Sequence, residues 1–497
     1  MSKFDVIIIG SGLGGLECAA ILSKEGFNVC VLEKNAVFGG CLQSYDRKGA
    51  ILDTGVHYVG SLEEGQFLNQ SFKYFGIMDH LLLKKLDEDS FDKIHFAGKE
   101  FHYAMGDEQF VDVLSQSFPK ERNGLKDYVN QLRSVGKSVS VENLKKGFMV
   151  DGGLDKFGVS AAGVIDSCTT DETLRNVLAS TSLLHSNIKE KSSFYEHAMV
   201  MYSYLEGAYR CVNGSMQIAN ELIKEIRNNG GEVRKQSEVT RILVKNEVVV
   251  GVEVNNEDVV EGNYVISDAH PQTTLKLLDP NHSIKRIFHY RINSLENSFG
   301  IFTLHLLMKP EQSEYLNHNV YLHRGDSVWF DKKREKHSMS NCLISMGATT
   351  ADKQKYAEVV SVLVPMSFSE VEKWKDTLPE RRGEDYLHFK EEYQKRILDF
   401  IGEFGYDYAN SFDYAYTSTP LSYRDYMGSP DGSAFGILKD YHNPLKCLVA
   451  PKTKLKGLLF TGQNINVHGV FGVTVSSIYT CSELLGLTYL TKKIGNV

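Results

Sequence analysis

Apolar positions along this chain fall into two kinds of pattern, and their order predicts an α/β protein. Val6-Ile7-Ile8-Ile9 is a continuous β-branched run, the signature of a strand buried on both faces of a parallel sheet. Gly10-Ser11-Gly12-Leu13-Gly14-Gly15 follows at once, and Leu16 to Lys24 reads as a helix with Ala19 and Ala20 on its inner side. Val29-Cys30-Val31-Leu32 is the second strand, so these pieces make one βαβ unit. Two extended runs between Phe91 and Ala104 flank Ala97-Gly98-Lys99 and predict a hairpin. Residues from about 107 to 205 carry apolar positions such as Phe110, Val113, Leu114 and Phe118 at helix spacing.

A second α/β stretch begins with a helix from Ser215 to Asn228, a turn at Asn229-Gly230-Gly231, and strands at Glu238–Val244 and Val248–Val254. Runs at Phe299–Met308, Val320–His323, Cys342–Met346 and Val359–Val364 predict another sheet, followed by a charged amphipathic helix near Asp385–Ile401. The last α/β piece is the strand Gly457 to Thr461, a glycine turn, and a helix from about Gly472 to Leu485. Nucleotide-type pieces thus stand at the start, middle and end. The expected division is a discontinuous cofactor domain over 1–85, 206–285 and 411–497, interrupted by an α+β substrate domain over 86–205 and 286–410 with a mixed or antiparallel sheet and helices.

Composition narrows the class. With 42% apolar and 24% charged residues the chain is globular, and its net charge of −8 lacks the cationic excess that a broad nucleic-acid footprint needs. The eight cysteines are dispersed with no C-x-x-C pair, which predicts buried thiols and neither a disulfide framework nor a metal site. No apolar run reaches the length of about 18 residues that a membrane span requires. A cytoplasmic protein is the expectation, with loose peripheral attachment to a membrane through an apolar rim if its substrate is a lipid.

Gly10, Gly12 and Gly15 fill the glycine places of G-x-G-x-x-G. Glycine there permits a tight turn, close approach of backbone to a pyrophosphate, and helix–strand packing, with the phosphates on the helix N-terminus. Glu33 closes the second strand, where a carboxylate accepts hydrogen bonds from ribose hydroxyls. The glycine doublet Gly39-Gly40 and the segment Asp53-Thr54-Gly55-Val56-His57-Tyr58 follow. A doublet lets the chain pass flush against a flat or charged ligand, though an ordinary turn uses one too.

Taken in order, the doublet, the D-x-G segment, Val212-Asn213-Gly214-Ser215 and Thr461-Gly462-Gln463 resemble the phytoene desaturase-like flavoproteins, the superfamily that also holds the amine oxidases. The resemblance spans the whole chain. Within that group Gly39-Gly40-Cys41 and Leu52 to Gly60 look like retinol saturases and carotenoid isomerases, since desaturases usually carry Gly-Gly-Arg at the doublet. The resemblance implies a Rossmann-like FAD-binding domain of the amine-oxidase type and an oxidoreductase acting on CH–CH groups of an isoprenoid-like lipid. Hydride would pass at flavin N5, and NAD(P)H, a partner flavoprotein or the substrate itself stand open as electron source. The alternatives it leaves are a redox-neutral polyene isomerase using reduced FAD, a flavin amine oxidase, and a non-catalytic binder of prenylated proteins like the Rab escort and GDP-dissociation-inhibitor proteins.

Carried to this sequence, the resemblance implies cofactor contacts from Gly10, Gly12, Leu13, Gly14, Gly15, Glu33, Lys34, Gly39 and Gly40. Val239 would flank the adenine through its backbone, and Gly462, Gln463, Gly469, Val470, Gly472 and Val473 would serve the pyrophosphate, ribityl chain and flavin carbonyl. Gly55, Val56 and His57 would run beside the isoalloxazine ring. His57 and Tyr58 are the candidate catalytic pair, orienting substrate or moving a proton, against the alternative of a histidine and a tyrosine satisfied in the core. His468 carries the same ambiguity, Arg424 reads as structural, and His197 and Tyr209 are weaker cavity candidates. Phe299, Phe302, Leu304, Leu306, Leu307 and Met308 fit plain core better than a binding wall.

Overall fold

The computed structural model describes residues 3–144, 156–185, 188–278, 284–330 and 339–497, so the helical expectation over 145–155 lies outside the described residues. The apolar run at the N-terminus forms strand Phe4–Ile9 and sits between two parallel neighbours, Val29–Leu32 and Asp258–Ser267. Val6 pairs with Val29 on one side and Tyr264 on the other. Glu232–Arg234 extends the parallel part at one edge, and Leu458–Phe460 joins Asp258–Ser267 in parallel. Val239–Lys245 and Val248–Val254 fold back antiparallel on the long strand Asp258–Ser267. Ile7 and Ile8 are wholly buried, as a strand covered on both faces requires. Helices Leu13–Lys24 and Gly469–Leu485 pack together over this sheet.

A second seven-stranded sheet runs in the order Phe412–Ser418, Gly300–Met308, Val359–Met366, Asn341–Met346, Asn319–His323, Asp92–Phe96, Lys99–Tyr103. Only the pair Asn319–His323 with Asp92–Phe96 is parallel. Its two faces do different work. Phe302, Leu304 and Leu306 pack under helix Glu384–Gly402, while Ile301, Leu343 and Leu363 face the other way. Strand Phe412–Ser418 completes this sheet, so a domain boundary placed at 410/411 cuts it from its neighbour Gly300–Met308. Its half-exposed, polar sequence reads as a connection because an edge strand needs no continuous apolar run.

A small three-stranded sheet positions the site. Val59–Gly60 pairs with Ala208–Cys211, which also pairs with Leu83–Lys85. A Cβ on Gly60 would stand 2.2 Å from the carbonyl oxygen of Ser203, so only glycine lets this strand lie against helix Phe194–Leu205.

Candidate active site

One cavity of about 380 Å³ runs from the glycine loop to the second sheet. Of the expected residues, Gly10, Gly12, Leu13, Gly14, Glu33, Lys34, Gly40, Gly55, Val56, His57, Tyr58, Val239, Gln463, Gly469, Val470, Gly472 and Val473 all line it. Gly15, Gly39 and Gly462 do not, and each has a packing reason. A Cβ on Gly15 would meet the Gly10 carbonyl oxygen at 2.3 Å, which makes Gly15 the helix–strand packing glycine. Gly39 has φ +107° and backs onto Met216 and Ala219. Gly462 has φ +86° and a Cβ there would lie 2.2 Å from Asp268 Oδ1. The doublet's second member, Gly40, would place its Cβ 3.0 Å from Gly12 Cα, so the doublet closes directly over the glycine loop.

Glu33 is already engaged in bracing that loop. Its Oε2 accepts from the Ser11 amide at 3.0 Å and the Ser11 hydroxyl at 2.6 Å, and its Oε1 accepts from the Asn35 amide at 2.8 Å. Asp268, which the sequence reading missed, follows strand Asp258–Ser267 and takes hydrogen bonds from the Gly12 and Gly15 amides. Burial pushes its carboxyl up to about 7. Helices Leu13–Lys24 and Gly469–Leu485 both begin at the cavity, bringing two sets of unpaired amides and two positive dipole ends to one place. These features fit a dinucleotide: lining glycines leave backbone open to the ligand, and anions are stabilised at both helix starts.

The far end is apolar. Leu183, Met199, Ile301, Leu343, Leu363 and Phe435 wall it. Ile301, Leu343 and Leu363 are the cavity-facing positions of strands whose other faces form the plain core, so the sheet supplies the wall through residues that the sequence reading did not single out.

His57 and Tyr58 differ in their surroundings. Tyr58 is buried, stacks on Tyr204 with ring centroids 4.0 Å apart, and its hydroxyl bonds Tyr321 at 2.7 Å and Asp92 at 3.2 Å. Asn319 donates to the other Asp92 oxygen at 2.9 Å, and Arg210, fully buried, reaches Asn319 Oδ1 at 3.0 Å. Burial raises the Asp92 carboxyl to about 7 against these donors and the Arg210 charge. The imidazole of His57 is held below the ordinary histidine value, chiefly by burial, while Asp53 pulls it up and Arg210 pushes it down. Its Nε2 is shielded and has no partner among the described residues.

His468 immediately precedes helix Gly469–Leu485 and lines the cavity, with Nε2 2.6 Å from the Leu184 carbonyl oxygen and Nδ1 3.4 Å from Glu196. His197 lies behind the wall, bonding Tyr128 at 2.7 Å and His185 at 3.1 Å, and Tyr209 donates to Glu63; neither lines the cavity. Arg424 has the structural partners expected of it, Asp425 and the Lys375 carbonyl.

The buried titratable groups fix how stability should vary with pH. Burial pushes His197, His270 and His318 down to about 4 and His305 and His323 to about 3. These groups take up protons on unfolding, so their stability contribution is present above the unfolded value near 6.5 and is lost as pH falls below it. Burial raises Glu17 to about 8 and Asp92 and Asp268 to about 7, so theirs is lost as pH rises from the unfolded value near 4 through 7 to 8. Below pH 6.5 these histidines outnumber the carboxyls, and between pH 6.5 and 8 the carboxyls dominate, until Lys439, which burial lowers to about 8, acts in the opposite sense above that. The melting temperature is therefore expected to peak near pH 6.5 and fall towards both pH 5 and pH 8. A melt that climbs steadily from 6.5 to 8 contradicts carboxyls buried in the protonated form.

Fold and site together define a Rossmann-like dinucleotide unit whose glycine loop opens into an apolar cavity floored by a second sheet. Comparison with known proteins agrees. A model of the NAD(P)-binding Rossmann-like domain matches residues 8–75. The chain is 26% identical to the all-trans-retinol 13,14-reductase of Danio rerio, covering 97% of this chain and 86% of that protein. It is 24% identical to the neurosporene-forming phytoene desaturase of Cereibacter sphaeroides, over 87% and 84%. A putrescine oxidase variant from a redesign of cofactor binding superposes with a TM-score of 0.65 at 15% identity, over 97% and 99%, and shares the fold. The resemblance carried by the ordered motifs thus extends along nearly the whole chain, and the proteins it is similar to are a reductase, a desaturase and, by fold, an oxidase.

Proposed function

We propose that this protein is an FAD-dependent oxidoreductase acting on a C–C bond of a hydrophobic, isoprenoid-like lipid. The observation that carries the reading is the cavity of about 380 Å³, lined by glycines and two helix starts at one end and apolar at the other. Bound FAD would supply hydride transfer at N5, the chemistry that protein side chains lack. Gly10, Gly12, Gly14 and the start of helix Gly469–Leu485 would hold the pyrophosphate, with Glu33, Lys34 and Val239 at the adenosine end. Gly55 to His57 would lie towards the ring. Ile301, Leu343, Leu363 and Met199 would exclude water from the polyene, and His57 would orient the substrate or hold a proton beside the reacting carbon. Tyr58 acts behind it, tying the segment to Asp92 and Tyr321.

NADH or NADPH visiting the flavin is the proposed reductant. Among the described residues no helix is long and apolar enough to cross a membrane; we place the protein in the cytoplasm, held loosely at membranes that carry its lipid. Denaturation is expected to release about one FAD per chain, as the single glycine-loop site requires. Anaerobic flavin bleaching with NADH, NADPH and a panel of polyene, retinoid and steroid lipids identifies donor and direction. Release of FMN, or no flavin, overturns the cofactor assignment. Lipid turnover without net reduction selects the isomerase, and bleaching by amines alone overturns the lipid substrate.

A further inference from the structure

Behind His57, on the side away from the main cavity, lies a second and much smaller cavity of about 10 Å³. His57 is the residue that lines both. The small cavity is otherwise polar on one side, with Asp53, Arg210, Ser345 and Ser361 on its wall. Two buried nitrogens of these residues lack a hydrogen-bond partner among the described residues: His57 Nε2 and Arg210 Nε. The rest of the Arg210 guanidinium is fully used. Nη1 donates to the Tyr315 hydroxyl at 2.8 Å and the Leu316 carbonyl at 2.6 Å, and Nη2 to the His318 carbonyl at 2.8 Å and Asn319 Oδ1 at 3.0 Å.

A buried N–H of an arginine left without an acceptor is costly, and native proteins rarely tolerate it. A space of this size, about one probe sphere, holds one water if two to four polar groups surround it. Both conditions are met here. We infer that one buried water bridges Arg210 Nε and His57 Nε2, and that through it Arg210 is a positioning residue fixing the tautomer of His57. The Arg210 N–H donates to the water oxygen, and the water donates one hydrogen to His57 Nε2 and the other to Asp53, Ser345 or Ser361. His57 then carries its proton on Nδ1, the nitrogen left for the main cavity, as a neutral imidazole.

The electrostatics agree. The charged or titratable groups around the ring are Asp53, Arg210 and His305, and His305 is itself neutral because burial holds it at about 3. Arg210 opposes protonation of His57 and Asp53 favours it. The same guanidinium reaches Tyr58 through Asn319 and Asp92, so the two adjacent residues of the candidate pair share one buried anchor.

This inference rests on reading His57 as the polar group facing the substrate, but its test is independent of turnover. A high-resolution crystal structure of the flavin-loaded protein is expected to show a single ordered water within about 3.2 Å of both nitrogens. Nitrogen-15 spectra of histidine-labelled protein at pH 7, assigned with His57→Gln, are expected to show Nδ1 protonated and Nε2 bare. In Arg210→Gln, the acid limb of the kcat profile is expected to move up by about one pH unit, a tenfold change in the imidazolium fraction. Should Arg210→Gln fail to fold, the density and spectra of the unaltered protein decide alone. An empty site, or a proton on Nε2, overturns the inference. An ordered water with unchanged turnover in His57→Ala leaves the water site standing and overturns the catalytic reading of His57.

Discussion

Gly12→Val is expected to yield a folded protein that has lost its flavin, whereas Gly15→Val is expected to lose the fold itself. The two glycines lie three positions apart in one loop, yet meet different neighbours. At Gly12 φ is −63°, a value open to any residue, so a side chain there brings no backbone strain. Its Cβ would approach Asp268 Oδ2 at 2.3 Å, the movable tip of a side chain, and the added methyls would project into the cavity where the pyrophosphate is proposed to sit. At Gly15 the Cβ would meet the Gly10 carbonyl oxygen at 2.3 Å and Ile8 Cγ2 at 3.2 Å. The first is backbone of the glycine loop, directly after the central strand, and cannot give way. Overpacking of a rigid core costs typically 1–3 kcal/mol and more against backbone, a large share of a domain's stability. The flavin-to-protein absorbance ratio, read beside a thermal melt, separates the cases. A Gly12→Val protein that keeps stoichiometric flavin would place the phosphates elsewhere.

The dinucleotide loop is legible in the sequence because its physics is local. Strand, turn, helix and acidic residue follow within one βαβ unit, and each glycine answers a constraint set by its near neighbours. Four strands of the second sheet, Gly300–Met308, Asn319–His323, Asn341–Met346 and Val359–Met366, are legible for the same reason, as apolar runs. What surrounds Tyr58 and backs His57 is not. Asp92, Arg210, Asn319 and Tyr321 come from three widely separated stretches and meet only because Asp92–Phe96 pairs with Asn319–His323 while Ala208–Cys211 pairs with Val59–Gly60. A buried arginine in strand Ala208–Cys211, next to an apolar helix, is the one trace they leave in the sequence. Asp268 is hidden differently: its partners are backbone amides, which carry no residue signal. Phe302, Leu304 and Leu306 are plain core, as their spacing suggests, and the cavity wall lies at Ile301, Leu343 and Leu363, which no pattern singles out because strand alternation fixes which residues share a face and not which face meets the ligand.

His57→Ala is expected to lower turnover per bound flavin by at least tenfold, while Tyr58→Phe is expected to act mainly on stability. A side chain that orients substrate or moves a proton in the transition state is worth about 10²–10⁴-fold. His57 has the features for that role: it lines the main cavity, is kept neutral by its surroundings, and its Nε2 has no hydrogen-bond partner among the described residues. Tyr58 also lines the cavity, but its hydroxyl is committed to Asp92 and Tyr321 and its ring to Tyr204. Removing that hydroxyl strips the buried Asp92 of one of its two side-chain donors, at a cost of about 1–3 kcal/mol for an unsatisfied buried group. The carboxyl would then hold its proton to still higher pH, since Tyr58 is one of the partners that lower it. So Tyr58→Phe is expected to melt several degrees lower, with the deficit growing above pH 7, and to keep nearly normal turnover per flavin. Activity normalised to flavin content, measured with thermal melts at pH 6 and pH 8, decides both halves. Unchanged normalised turnover in His57→Ala would retire it as the group at the reacting carbon. A tenfold loss in Tyr58→Phe at unchanged stability would make the tyrosine hydroxyl the proton donor instead.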